Sequence, residues 1–211
     1  ASFMVALVAG PIVAGLAGVR GIFWLMAALA LTGIGIILFF VPSPRLLSLH
    51  RDAETVPAML GSVLTNKELL RLDFGIFALH AMLTASFLVV PELLHEGLKV
   101  TSHSQWIVYL PVLFVSIVVM IPAIIVAEKY RRMKTVLVSA VGALAASQIM
   151  FVFGGHHAYV VLAAMMVFFA GFNIMEASLP SLITKTAPPD AKGTAAGVYS
   201  SSQFLGIFAG G

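Results

Sequence analysis

An all-α, polytopic membrane protein is the fold class this sequence predicts, and three observations predict it. Of its 211 residues 60% are hydrophobic and 10% charged, whereas soluble domains average about 25% charged residues. The mean hydropathy is +1.05. Apolar stretches near the ~20 residues that a bilayer crossing requires recur along the chain with short polar joints between them. The chain has no cysteine, which excludes disulfides and thiolate metal sites. A net charge of +3 with no basic stripe gives no footprint for nucleic acid.

The apolar stretches fall at 1–19, 22–41, 74–91, 106–127, 135–154, 159–184 and 194–211. Seven segments are therefore expected. The chain opens without an initiator methionine and closes at Gly210 and Gly211 inside an apolar run, so an internal piece of a longer transporter-like chain is expected. Between the second and third segments lies a charged stretch, 42–73, holding Arg45, Arg51, Asp52, Glu54, Lys67, Glu68, Arg71 and Asp73. Within it Val56, Met59, Leu60, Val63 and Leu64 recur at helical spacing, which predicts an amphipathic surface helix with Pro57 in its first turn. Thr65 with Glu68, and Ser102 with Gln105, have the spacing of capping boxes. Pro188 and Pro189 should end the sixth segment, and Asp190 should cap the seventh.

If loops alternate sides, one side receives Arg45, Arg51, Lys67, Arg71, Lys129, Arg131, Arg132, Lys134, Lys185 and Lys192. The other receives Arg20 and Lys99. Ten of the 12 basic residues on one side place the 42–73 loop in the cytoplasm by the positive-inside rule.

The most informative stretch is 168–185, FFAGFNIMEASLPSLITK, because an apolar segment of membrane length there carries Asn173 and Glu176 well inside its ends. A charged side chain within hydrocarbon costs roughly 3 kcal/mol or more, so it normally faces a protein-lined or watery interior and marks an ion or substrate path. Phe169, Phe172, Asn173, Glu176 and Pro180 share one helical face, and Phe77, His80, Thr84 and Phe87 form a similar stripe on the third segment. Counted at 1.5 Å per residue from their cytoplasmic ends, Glu176 and His80 lie roughly 13 and roughly 10 Å deep. Two ionisable groups at one depth can pair and share a proton. Asn173, one turn away, is expected to orient Glu176 by a hydrogen bond, and Gln148 to hydrogen-bond between helices. Phe77, Thr84, Phe169, Phe172 and Asn173 are the candidate substrate-cavity residues, with Met82 and Met175 beside them. His156 and His157 have no third ligand in sequence, and no metal or cofactor is expected.

A family resemblance becomes specific on the first segment. Gly10-Pro11-x-x-Ala14-Gly15 resembles the antiporter motif on the fifth helix of major facilitator superfamily exporters, with Ala14 where the pattern prefers Gly. The small residues also suit close helix packing, and Pro11 a bend. The charged 42–73 stretch is similar to the central loop between the family's two six-helix halves. Residues 127–134, AEKYRRMK, resemble a degenerate copy of its signature loop, departing at Arg131 where Gly is usual. Glu128, Arg131 and Arg132 then form a cytoplasmic charge loop or a positive-inside anchor. The last segment looks like the eleventh helix, the repeat mate of the fifth. Ser2, Ala9 and Gly10 recur as Ser202, Ala209 and Gly210 at an offset of 200 residues. NIMEASLPSLITK, KGTAAGVYSSSQFLG and LDFGIFALH resemble the YajR-type branch of proton-coupled drug exporters.

The resemblance implies helices five and six at 1–41, the central loop at 42–73, and helices seven to eleven at 74–211. It implies a multi-pass protein of the bacterial inner membrane, monomeric at full length, that exchanges protons for small lipophilic or cationic compounds. Glu176 and His80 are its candidate proton-coupling residues, and Gly10, Pro11 and Gly15 its gating motif. Two alternatives are an importer of a small polar nutrient and a seven-helix receptor. No Gly-x-Ser-x-Gly or His-Glu-x-x-His motif is present, and an enzyme is not expected.

Overall fold

The computed structural model describes residues 2–42, 56–101, 104–154 and 157–211, with the side chains of 2–8 and 11 left aside. These residues form helix α1 (Ser2–Phe40), a 3-10 turn (Pro57–Met59), and helices α2 (Leu60–Thr65) and α3 (Lys67–Leu98). Helices α4 (Trp106–Lys129), α5 (Met133–Gly154), α6 (Ala158–Thr186) and α7 (Lys192–Gly210) follow. Among them no strand occurs. Five helices, α1 and α3 to α6, are long and apolar enough to cross a membrane. Seven separate segments were expected, and two differences account for the gap. The first two segments form one helical run, broken by non-helical backbone at Gly18 (φ 67°, ψ −176°). The break lies before the Arg20-Gly21 joint that the apolar pattern suggested, because a positive φ of this kind is open to glycine. The seventh segment is helical as α7, but its Ser200-Ser201-Ser202-Gln203 run dilutes its apolar character.

The chain divides into two units, residues 1–49 with 103–110, and residues 50–102 with 111–211. The first contains α1, whose side chains from Ile12 onward are largely exposed. Gly10 and Pro11 lie within its helical backbone, and no break occurs there; the chain direction changes at Gly18 instead.

The second unit carries the core, and its directions follow from the residues that meet. Phe77 meets Gly206 and Ala81 meets Gly210, so α3 and α7 run parallel. His80 faces Glu176 while Gly75 faces Leu179, so α3 and α6 run antiparallel. Ser116 bonds Asn173 and Glu128 bonds Lys185. The sequence separation is 57 in both pairs, which makes α4 and α6 parallel in a constant register. Buried Leu69, Ile76, Leu79, Phe168, Met165 and Ile183 fill the space between these helices.

Apolar burial gives no drive for helix association in lipid, so association rests on close packing and on polar contacts. The closest approach is made by glycine. A Cβ on Gly206 would overlap the Phe77 carbonyl, and one on Gly210 the Ala81 carbonyl. The Gly206-x-x-x-Gly210 spacing is that of a small-residue helix-packing motif. Gly171 does the same on α6, where a Cβ would come within 2.9 Å of the Ala140 carbonyl on α5.

The helix ends correct several expectations. Asn66, not Thr65, caps α3: its Oδ1 accepts from the Glu68 N–H at 3.0 Å and from that of Leu69 at 3.3 Å. Thr65 instead closes α2, donating to the Gly61 carbonyl at 2.9 Å. Asparagine is the stronger cap and stands one residue nearer the helix. As a result α3 begins at Lys67, and Lys67 to Asp73, counted with the loop by sequence, form its first two turns. The Ser102 cap lies outside the described residues, as do Arg45, Arg51, Asp52 and Glu54. Pro188 and Pro189 do end α6, since Ala187 before them is extended. Ala191 rather than Asp190 occupies the cap position of α7, with no side-chain bond. The preceding turn is closed by the backbone alone, through Ala191 N–H to the Pro188 carbonyl.

The amphipathic segment forms as the Pro57–Met59 turn and α2, with Pro57 at its start and Val63 1% exposed. It is tied to the start of α7 by one hydroxyl. Thr194, fully buried, accepts from the Val56 N–H at 2.9 Å and donates to the Val56 carbonyl at 3.2 Å.

The glycine contact is directly testable. Gly206→Ala should lower the thermal midpoint of the detergent-solubilised protein, with a cost of roughly 1–3 kcal/mol as for other overpacked sites. Gly142→Ala, whose added Cβ meets nothing within 4 Å, should leave the midpoint unchanged or raise it. Equal losses in the two variants, read by tryptophan fluorescence on heating, would remove close approach as the cause.

Candidate functional site

The site is built where α3, α6 and α7 meet. His80 is 5% exposed, and three elements fix its ring. Nδ1 lies 3.2 Å from the Ile76 carbonyl of its own helix, and since a carbonyl only accepts, Nδ1 carries a proton. Nε2 lies 2.8 Å from Nε2 of Gln203 on α7 and accepts from that amide. Nε2 also stands 3.8 Å from Oε2 of Glu176 on α6. Depth counting brought His80 and Glu176 to one level, and the structure brings them into contact.

Oε2 of Glu176 is buried with no hydrogen-bond partner among the described residues, yet the side chain as a whole is 39% exposed. One carboxylate oxygen therefore turns inward to the imidazole while the other looks outward. The imidazole has two competing neighbours at Nε2, an amide that donates to the neutral ring and a carboxylate that would attract an imidazolium. Gln203 suits both, because rotating its amide exchanges a donor for an acceptor. Sequence reasoning passed over Gln203. Its position in the polar run of an otherwise apolar segment was the signal available.

Asn173 does not orient Glu176. Its Nδ2 donates to Oγ of Ser116 on α4 at 2.7 Å, and Ser116 passes its own proton to the Leu113 carbonyl at 2.7 Å. Asn173 sits three residues before Glu176, and that angular offset on α6 turns it toward α4 while Glu176 turns toward α3. It thus joins helices instead of tuning the carboxylate. Thr84 likewise bonds backward, to the His80 carbonyl at 3.0 Å.

The aromatic candidates other than Phe77 form a connected cluster across α3 and α6. Phe172 meets the His80 ring edge-on at 5.7 Å, Phe169 meets Phe87 edge-on at 6.2 Å, and Phe77 stacks on Phe74 at 6.3 Å. Phe168, not anticipated, links the first two by contacts to Phe169 and Phe172. Met175 is buried and Met82 half-buried. A cavity of about 310 Å³ lies in a different place, between α3 and α5, lined by Ala85, Ser86, Val90, Gln148 and Phe151 among others. Gln148 Nε2 is buried there without a hydrogen-bond partner among the described residues, so it does not make the expected interhelical bond.

At the C-terminal ends of α4 and α6 Lys185 Nζ donates to both oxygens of Glu128 at 2.8 and 3.1 Å. Both side chains are exposed, so this pair contributes little energy, about 0–1 kcal/mol. It does close the α4–α6 register begun by Ser116 and Asn173. Arg131 adopts a left-handed backbone (φ 54°), and Arg132 is exposed beside it. The left-handed conformation explains why glycine suits this loop position. Of the two neighbouring histidines, His157 precedes α6 without a side-chain cap and His156 lies outside the described residues.

A bundle of apolar helices with a buried His–Glu contact at its centre is the setting for an intramembrane ion or substrate path, and comparison with known proteins decides the family. The model of the Major Facilitator Superfamily matches residues 1–211. The chain belongs to the Major Facilitator Superfamily. The inner membrane transport protein YajR of Escherichia coli (strain K12) is 39% identical over 211 residues, covering 100% of this chain and 46% of that protein. An uncharacterized transporter of Buchnera aphidicola subsp. Acyrthosiphon pisum (strain APS) is 30% identical, over 99% of this chain and 54% of its own length. A second, from Buchnera aphidicola subsp. Schizaphis graminum (strain Sg), is also 30% identical, over 100% of this chain and 54% of its own length. The chain spans about half the length of these curated relatives. No solved structure matches it significantly. Membership makes this a multi-pass membrane protein of a transporter family.

Two outcomes follow from the site. Arg131→Gly should raise the thermal midpoint, since the left-handed conformation costs an L-residue roughly 1–2 kcal/mol that glycine avoids. An unchanged or lowered midpoint would show that the arginine side chain contributes more than the backbone costs. In a double-mutant cycle, Ser116→Ala and Asn173→Ala should couple by about 0.6 kcal/mol, measured by unfolding in mixed micelles. Additive losses would leave that hydrogen bond without energetic weight.

Proposed function

We propose that this chain forms part of a secondary active transporter of the bacterial inner membrane. It exports small lipophilic or cationic compounds in exchange for protons by alternating access. The observation that carries the reading is the His80–Glu176 contact of 3.8 Å, set among Phe172, Phe169 and Phe87. Glu176 is the main proton carrier. With its proton it is neutral, and without it the carboxylate can accept either the His80 imidazolium or a cationic substrate at its outward oxygen. Substrate and proton then compete for one group, which is the requirement for exchange. The aromatic faces of Phe172 and Phe77 suit lipophilic cations.

In this reading residues 1–41 are helices five and six, 42–66 the central loop and 67–211 helices seven to eleven. Gly10, Pro11 and Gly15 serve as the antiporter motif, and the full-length protein acts as a monomer. Similarity to the Escherichia coli inner membrane transport protein supports the membrane, and the Gly10-Pro11 motif supports the direction.

Proton release on addition of a panel of lipophilic cations to the detergent-solubilised full-length protein tests the proposal. The native protein should release protons and Glu176→Gln should not, while its elution profile and thermal midpoint stay native. Release retained by Glu176→Gln would remove Glu176 as carrier, and binding without release by the native protein would remove antiport.

A further inference from the structure

The helix that begins at Lys67 brings into the bundle a second carboxyl group to which the mechanism above gives no task. Asp73 lies seven residues, two helical turns, before His80 on the same face of α3. It is 4% exposed, and neither of its oxygens has a hydrogen-bond partner among the described residues. A fixed buried charge without a partner is costly, by several kcal/mol. A structural carboxyl would be paired, so this position suits a group that takes up and gives away a proton.

The groups around it come from three elements. On α3 itself Lys67, Glu68 and Arg71 are exposed toward the helix start, and His80 lies two turns beyond. From α7 comes Tyr199, one turn before Gln203 on the same face. Tyr199 is 7% exposed and its hydroxyl has no hydrogen-bond partner among the described residues; because α7 runs parallel to α3, it lies on the Asp73 side of the His80–Gln203 contact. From α6 comes Glu176, whose inward oxygen is equally without a hydrogen bond. Helix α2, LGSVLT, brings no charged residue. Three buried oxygen groups, none hydrogen-bonded to another, thus lie along one interface where water can join them, and His80 and Gln203 mark its inner end.

We propose that Asp73 is a second proton station, on the cytoplasmic side of the Glu176–His80 pair, and that the Tyr199 hydroxyl passes protons between the two carboxyl groups. The transfer conserves every proton. Protonated Glu176 gives its proton through an intervening water to the Tyr199 oxygen as the Tyr199 O–H proton moves through a second water to the Asp73 carboxylate, each water passing on one proton for the one it receives. The phenol ends as it began, Glu176 is left as a carboxylate, and Asp73 then releases its proton to cytoplasmic water. Uptake runs the same steps in reverse. This rests on Glu176 as carrier, and the two claims fail separately.

Time-resolved infrared spectroscopy of the full-length transporter in proteoliposomes, following protonated-carboxyl bands after a pH jump on the cytoplasmic side, needs no substrate. The native protein should show two responding carboxyl groups. Asp73→Asn should remove one and slow protonation of the other by roughly a hundredfold, the scale of losing a positioned proton-transfer group. Tyr199→Phe should keep both bands and slow the Glu176 response, and Asp73→Glu should restore the fast phase. Glu176→Gln should abolish the slower-placed band and leave that of Asp73. If Glu176→Gln changes no band, the carrier reading fails while the Asp73 band still answers for itself. A Glu176 response at the native rate in Asp73→Asn overturns the relay. Should Asp73→Asn not fold, an unslowed response in Tyr199→Phe overturns it alone.

Discussion

The second unit is arranged around one imidazole. His80 is held by the Ile76 carbonyl on its own helix, by Gln203 on α7 and by the approach of Glu176 on α6. Each polar contact of this kind is worth only about 1 kcal/mol in a membrane, so these bonds do not by themselves assemble the bundle. They can form because glycine lets the backbones come close. Without Gly206 and Gly210 against the Phe77 and Ala81 carbonyls, α7 would stand further from α3. Gln203, one turn from Gly206, would then not reach the ring. Backbone packing therefore sets the distance, and the polar groups use it.

A second consequence concerns pairing. Helix α7 lies parallel to α3, and α4 lies parallel to α6, while α3 and α6 meet antiparallel at the His80–Glu176 contact. Each member of the central pair thus has a parallel companion, as the up-and-down alternation of successive helices requires. The companions differ in chemistry. Gln203 on α7 serves the imidazole, whereas Ser116 on α4 takes Asn173 away from the carboxylate. Glu176 is left with one inward oxygen unbonded among the described residues.

The ends of α4 and α6 and the start of α7 are tied more loosely and at identifiable points. Glu128 and Lys185 bridge α4 and α6 at the surface, and the Thr194 hydroxyl binds both backbone groups of Val56. The second tie is the stronger, because Thr194 is fully buried and losing it would leave an N–H and a carbonyl of Val56 without that partner. It links the segment before α2 to the first turn of α7.

The sequence by itself determined what depends on composition and period: an all-helical membrane protein, most of its helix ranges, the surface segment starting at Pro57, and Glu176 with His80 at one depth. These follow from transfer energies and from a rise of 1.5 Å per residue, which act locally. It named the proline stop of α6 but misplaced the caps at Asn66 and Ala191, where neighbouring residues compete for the same backbone groups. Only the tertiary structure decided which partner each polar side chain takes. Asn173 faces Ser116, His80 finds Gln203, Gln148 Nε2 finds no partner among the described residues, and Asp73 is enclosed as part of a helix. Those outcomes depend on the rotation and separation of helices far apart in sequence. Glycine contacts fix that separation, and no single helix encodes it.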